Sequence, residues 1–197
     1  RKSVLFPKAR DYLDTYESHG LLGTGGLYGH SIWLTDREKS QLREHDASLI
    51  HCPTSNTFIG SGLFDMDGLK SAGHRVGLAT DTGGGSSFSM LRTMASAYEV
   101  GQLRGRALHP AELWWLATAG SAHALHAGDK IGNLAVGLEA DLAIIDLAST
   151  PAIEQATRRA CDIWTALFPT IMMGDDRAIR ATYISGKQTQ AAPISSV

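Results

Sequence analysis

The sequence has 197 residues, of which 43% are hydrophobic and 19% are charged, as is typical of a globular protein with one sizeable core. Its 18 Lys and Arg nearly balance its 20 Asp and Glu, which argues against a nucleic-acid partner. The two cysteines, Cys52 and Cys161, exclude a disulfide framework and a four-cysteine zinc site. We find no apolar run of roughly 18 residues and no signal peptide, and we expect a cytoplasmic protein without a membrane partner.

The first half of the chain alternates strand-like and helical segments. Apolar runs predict buried strands at residues 27–33, 47–52 and 75–80. Helices are predicted at residues 9–19, from 36 to about 45, at 67–72 and at 89–103. The second of these helices has Thr35 as its predicted N-cap and Glu38 as the capping-box partner. This alternation favours a parallel α/β architecture.

The second half of the chain differs in composition. A helix is predicted at residues 111–125, with Pro110 at its first position. Short strands around glycine-rich turns are predicted at residues 131–137, 140–146 and 178–185. We predict a small β module appended to the α/β unit, with a break at Phe168-Pro169 in the segment between its strands.

Two polar residues at the ends of predicted strands are the strongest candidates for chemistry. Asp81 follows the third strand and precedes three glycines, where backbone can approach a ligand closely; the alternative is that Asp81 caps a turn. His30 lies at the end of the first strand, where a lone histidine is often only packed or hydrogen-bonded. Because strand ends converge in α/β barrels, the pair suits a divalent metal, most often zinc or iron.

Other candidates favour structural interpretations. His51 and Cys52 cannot both face one site in a regular strand, and we predict structural roles for both. Loop capping is the predicted role of Ser55 and Asn56, with hydrogen bonding at the strand end as the alternative.

Two further patterns do not indicate a binding site. His123 and His126 have a spacing that can bind metal, but without an acidic or cysteine partner nearby in the sequence we predict surface or packing roles. The triple glycine at 83–85 lacks the sequence of a phosphate-binding P-loop.

Several motifs resemble the amidohydrolase superfamily. Its seventh and eighth strands are similar to HCPTSN at 51–56 and GLATD at 77–81. Its sixth strand is similar to YGH at 28–30, and its composite β-sandwich to residues 131–146 and 184–187. Among its members, the guanine deaminases are most similar at SGLF, 61–64, and at TDTGGGSSFSML, 80–91.

The resemblance implies an α/β fold, namely the carboxy-terminal part of a (β/α)8 barrel with part of a small β-sandwich. Residues 1–126 would belong to the barrel, 127–150 and 176–190 to the sandwich, and 151–175 to a helical or loop segment returning to the barrel. It further implies zinc-dependent hydrolytic deamination of guanine to xanthine and ammonia by a homodimer, with iron as the alternative metal. By resemblance, Asp81 would ligate the metal, contact the substrate and act as general base, and His30 would ligate the metal or orient the water.

Part of the family's active site has no counterpart in the sequence. The His-x-His pair, the fifth-strand histidine, the catalytic Glu and a purine-contacting Arg would lie upstream of Arg1, and a full barrel needs roughly 250 residues. We therefore expect a fragment or processed chain that carries only part of the site. The alternatives are a hydrolase of another purine or a pterin, and a non-catalytic truncated chain that pairs with a partner or with itself.

Overall fold

The computed structural model describes residues 2–191, which form an α/β unit followed by a smaller antiparallel sheet. Arg1, the first residue of the predicted barrel segment, lies outside this range. The strands are β1 (Leu27–Gly29), β2 (Ser48–His51), β3 (Arg75–Leu78), β4 (Leu142–Ile145), β5 (Ile179–Ile184) and β6 (Lys187–Ala191). The helices are α1 (Lys2–Leu5), α2 (Asp14–Glu17), α3 (Asp36–Glu44), α4 (Pro53–Phe58), α5 (Met66–Ser71), α6 (Met90–Leu103), α7 (Pro110–Trp115), α8 (Ser121–Ala124), α9 (Pro151–Arg158) and α10 (Ile163–Met173).

The first three strands form a parallel sheet in the order β1-β2-β3, with Leu49 opposite both Tyr28 and Val76. Helices connect consecutive strands, so the predicted parallel α/β architecture is confirmed. The strands are shorter than predicted. β1 ends at Gly29 because His30 and Ser31 have φ angles of 68° and 48°, a left-handed conformation that no strand can continue through.

Helix α3 begins as the sequence predicts. The Thr35 side chain accepts a hydrogen bond from the Glu38 backbone N–H, and the Glu38 carboxylate accepts one from the Thr35 N–H. The buried Glu38 also accepts a hydrogen bond from the Leu13 N–H at 3.0 Å. Burial raises the pKa of Glu38, but these backbone hydrogen bonds outweigh it and the net pKa is lowered.

Two predicted segments at the start of the chain and after β2 are wrong. The helix predicted at 9–19 is reduced to α2, because residues 11–13 form bends and a turn, in which the Asp14 N–H donates to the Asp11 carboxylate at 2.9 Å. Ser55 and Asn56, predicted to cap a loop after the second strand, lie instead in helix α4, which Pro53 opens at the first helical position.

Helix α10 continues through Pro169, where a break was predicted. Its flanking residues are held by packing, since Phe168 stacks edge-on against Tyr98 of α6 at 5.0 Å and Ile171 is fully buried. The predicted helix at 111–125 contains a π-helical stretch, Leu116–Gly120. Ser121, directly after it, accepts a hydrogen bond from the Leu78 N–H at the end of β3.

The second sheet is antiparallel in the order β4-β5-β6. The strand predicted at 131–137 is wrong: the segment forms turns, with Gly132 and Gly137 at φ angles of 92° and 96°. Its apolar residues Leu134 and Val136 are exposed, so they do not pack against a sheet as the side chains of a buried strand would. The main core lies between the parallel sheet and its helices, with Leu42, Leu49 and Phe64 fully buried. Within residues 2–191, the helices are all too short or too polar to cross a membrane.

Candidate active site at the carboxyl ends of the parallel strands

The ends of the three parallel strands bring a histidine, a cysteine and an aspartate together. His30 follows β1, Cys52 follows β2 and Asp81 lies three residues beyond β3. One donor atom from each side chain lies within 4.8 Å of the others. The convergence expected of His30 and Asp81 is therefore present in the structure, and Cys52 joins them.

The imidazole of His30 is held between two partners. Its Nδ1 is 2.8 Å from Oδ1 of Asn56 in helix α4, and its Nε2 is 3.6 Å from Oδ2 of Asp81. The backbone of His30 and Ser31 is left-handed, yet the His30 N–H still donates to the Ile50 carbonyl at 3.0 Å. Residues in such sparsely populated backbone conformations cluster at functional sites.

Asp81 also has a left-handed backbone, with a φ of 48°. Its main-chain carbonyl accepts hydrogen bonds from the Gly84 and Gly85 N–H groups, at 3.1 and 2.6 Å. About a third of its side chain is exposed, so the carboxylate is open to a ligand. The predicted third strand ends at Leu78 rather than at residue 80, although the Ala79 N–H still donates to the His51 carbonyl at 3.0 Å, and Asp81 follows two residues later.

The triple glycine packs against the neighbouring strand end and helix. A Cβ on Gly84 would lie 2.9 Å from Ser55 Oγ and 3.0 Å from Asp81 Oδ2, and one on Gly85 would lie 2.2 Å from the Thr80 carbonyl oxygen. Side chains at these positions would displace Asp81 or the backbone at Thr80. The glycines thus serve the close packing of the loop that carries Asp81.

His51 and Cys52 point to opposite sides, as the strand geometry predicts. His51 is buried and stacks on Phe64, with ring centroids 4.6 Å apart, and burial lowers its pKa to about 3. Cys52 faces His30 and Asp81; burial and the Asp81 charge raise its pKa, although the His30 N–H lowers it. The sequence reasoning therefore missed the proximity of the Cys52 thiol to the site.

For Asn56, the structure supports the alternative interpretation, hydrogen bonding at the strand end. It was predicted to cap a loop, yet its buried side chain contacts His30 across 26 residues of chain. A helix predicted at residues 53–58 would have indicated this contact, because one helical turn brings Asn56 next to Cys52, where its N–H donates to the Cys52 carbonyl.

His123 and His126 lie away from this site. Both contact Arg75, at 3.2 and 3.1 Å, and Arg75 pairs with Asp46. Arg75 begins β3, whereas Asp81 lies beyond its other end. The two histidines therefore belong to a charged cluster at the opposite end of the sheet, which includes the acidic partner that the sequence did not reveal.

The donor set suits a divalent transition metal. Two ligands at tetrahedral angles and zinc bond lengths of 2.0–2.1 Å stand roughly 3.3 Å apart, and the observed separation of His30 Nε2 and Asp81 Oδ2 is 3.6 Å. Imidazole, carboxylate and thiolate are ligands that zinc accepts. The described residues thus supply at most three ligands, two of them predicted.

The known proteins to which this chain is similar include named purine deaminases, one of them with bound zinc. A profile described as the amidohydrolase family matches residues 6–189. Guanine deaminase of Escherichia coli (strain K12) is 38% identical over 183 residues, covering 93% of this chain and 42% of that protein.

Solved structures of deaminases are also similar to this chain. A structure of E. coli guanine deaminase matches with a TM-score of 0.94 and 36% identity, covering 96% of this chain and 44% of that one. An adenosine deaminase from Xanthomonas campestris with bound zinc matches with a TM-score of 0.79 and 25% identity, over 96% of this chain and 42% of that one. The chain thus spans less than half the length of the proteins it matches.

Proposed function

Because the chain belongs to the amidohydrolase family, we propose that it supplies part of the active site of a guanine deaminase, which hydrolyses guanine to xanthine and ammonia. The observation that carries this proposal is the 3.6 Å approach of His30 and Asp81 at the strand ends, in a chain 38% identical to E. coli guanine deaminase.

We propose that the parallel sheet is part of a (β/α)8 barrel. Residues 1–126 would contribute three strands and their helices, 127–150 and 176–190 part of a small β-sandwich, and 151–175 the helical return. Within residues 2–191, β1 and β3 each have one neighbour in the sheet, so barrel closure would require further strands on both sides. Next to β1, a groove of about 810 Å³ lined by Tyr28, Trp33 and other apolar residues borders His30, which suits covering by such strands.

We propose zinc as the metal, with iron as the alternative, and His30 and Asp81 as two of its ligands. The Xanthomonas campestris neighbour, which binds zinc, supports this choice, as does the donor set. A zinc ion in such a site lowers the pKa of bound water to about 7. The remaining ligands would come from outside the described residues.

Asp81 is the proposed general base. Its carboxylate, partly exposed beside the His30 imidazole, would accept a proton from the attacking water and deliver it to the exocyclic amino group, which leaves as ammonia. The water oxygen replaces that amino group, so the products are xanthine and ammonia. His30, held by Asn56, would fix the direction of attack either as a ligand or by a hydrogen bond to the water.

Guanine turnover by the protein isolated from its source tests the proposal. We expect conversion of guanine to xanthine, loss of activity after dialysis against a chelator, and recovery on adding Zn²⁺. A folded protein that neither converts guanine nor holds metal tightly would contradict the proposal and favour a non-catalytic chain.

A second candidate is a deaminase of another purine or a pterin, which the similarity to an adenosine deaminase favours. A substrate panel distinguishes the two, since equal or faster turnover of adenosine, adenine or a pterin would replace guanine as the substrate. We also propose a cytoplasmic location and a homodimer. The sedimentation coefficient of the isolated protein measures the oligomeric state.

A further inference from the structure

The contact between Asn56 and His30 has a chemical consequence for the site. Asn56 is 1% exposed, and its Oδ1 lies 2.8 Å from His30 Nδ1. An amide oxygen only accepts hydrogen bonds, so His30 must carry a proton on Nδ1 to make this contact. The other polar side-chain atom of Asn56, Nδ2, is buried without a hydrogen-bond partner in the described part of the chain.

A proton on Nδ1 leaves the opposite nitrogen of a neutral imidazole with a free electron pair. That nitrogen, Nε2, faces Oδ2 of Asp81 across 3.6 Å, which is too long for a hydrogen bond. Two electron-pair donors therefore face one another without a proton between them. This is the arrangement that a cation between them would require.

The backbone makes the contact rigid. Helix α4 places Asn56 through its N–H, which donates to the Cys52 carbonyl at 2.9 Å, and the left-handed turn at His30 presents the ring to it. Both strand ends are paired in the same sheet, Gly29 lying opposite Ile50. The two side chains thus depend on neighbouring elements of the fold.

We propose that Asn56 is a positioning residue that holds His30 in its Nδ1–H tautomer and so directs the Nε2 electron pair toward the metal. This inference rests on the proposed metal site but requires no particular substrate. Partners of this kind fix the tautomer and orientation of metal-binding histidines, and their loss typically costs about 10- to 100-fold in metal affinity.

The tautomer can be read directly by ¹⁵N NMR of the isolated, metal-free protein at a pH where His30 is neutral. Protonated and unprotonated ring nitrogens have well-separated ¹⁵N shifts. We expect His30 in the wild type to show a protonated Nδ1 and an unprotonated Nε2. A proton on Nε2 instead would overturn the inference, because it would mean that Asn56 presents Nδ2 to the ring.

Variants at position 56 test the cause. Asn56→Asp keeps an acceptor oxygen at the same place and should preserve the Nδ1–H tautomer, whereas Asn56→Leu removes it and should shift the proton toward Nε2. Zn²⁺ affinity, measured by competition with a chromophoric chelator, should fall roughly 10- to 100-fold in Asn56→Leu and less in Asn56→Asp. Ser55→Ala is the matched control, since the hydroxyl of this buried neighbour on α4 makes no hydrogen bond to His30.

An unchanged tautomer in a folded Asn56→Leu protein would overturn the inference. Should that variant fail to fold, the wild-type spectrum and Asn56→Asp still decide the matter, because either can show the proton on the wrong nitrogen. The spectra do not depend on catalysis, so a protein that fails to deaminate guanine would refute the proposed function and leave the tautomer result intact.

Discussion

A buried neutral histidine next to the site should make the protein sensitive to acid. His51 is 2% exposed and stacks on Phe64, and burial lowers its pKa from 6.5 to about 3. In the unfolded chain His51 takes up a proton below about pH 6.5, but in the folded protein it does so only near pH 3. Stability from this residue is therefore complete above pH 6.5 and is lost as the pH falls between these two values.

The size of the effect follows from the shift. A difference of one proton between the unfolded and folded states changes the free energy of unfolding by about 1.4 kcal/mol per pH unit. Between pH 6.5 and 5, before most carboxylates titrate, His51 alone should cost about 2 kcal/mol. His74, also buried and with its pKa lowered by burial, adds to the slope in the same direction.

The perturbation is His51→Phe, which keeps the stacking on Phe64 and removes the titrating group. A cavity of about 20 Å³ borders His51 and can take part of the added volume. Urea unfolding followed by tryptophan fluorescence between pH 5 and 7.5 gives the free energy of unfolding. We expect the acid slope to be smaller in the variant by about 1 kcal/mol per pH unit, and unchanged in His19→Gln, which replaces an exposed histidine. Equal slopes in wild type and His51→Phe would refute the reasoning.

Two further substitutions probe the buried cap of α3 and the glycine loop that carries Asp81. Glu38→Ala leaves the buried N–H of Leu13 without its acceptor and should lower the free energy of unfolding, measured by urea titration, by about 2 kcal/mol. The control Asp36→Ala, at an exposed position on the same helix, should lower it by less than about 1 kcal/mol. Similar losses in the two variants would contradict this prediction. Gly85→Ala places a Cβ 2.2 Å from a backbone carbonyl oxygen and should both destabilise the protein and weaken Zn²⁺ binding. Gly23→Ala, with open space around its Cβ, should do neither, and equal Zn²⁺ affinities in the two variants would argue against the packing role of the glycine loop.

The order of strands and helices in the first half was predictable because each element carries its own local signal. The capping-box pair Thr35 and Glu38 predicts the start of α3, and the apolar run before Pro53 predicts β2. Two errors fall at His30, where a left-handed backbone ends β1, and at Pro169, where α10 continues instead of breaking. These depend on tertiary contacts, such as Phe168 against Tyr98, that no local pattern contains.

The candidate site divides in the same way. His30 and Asp81 were predictable because parallel strand ends meet at one edge of a sheet. Cys52 lies at the end of β2 but was assigned a structural role, and hydrogen bonding at the strand end was only the alternative for Asn56, because helix α4 was not predicted. Long-range contacts such as Asn56 to His30 appear only once that helix is in place.

The central claim is that Asp81 acts in a metal-dependent deaminase site, and guanine turnover by Asp81→Ala in the protein isolated from its source tests it most directly. We predict a loss of kcat of roughly 10²- to 10⁴-fold, reduced zinc content and an unfolding midpoint close to that of the wild type. A folded Asp81→Ala protein that binds zinc and converts guanine at nearly the wild-type rate would contradict the claim.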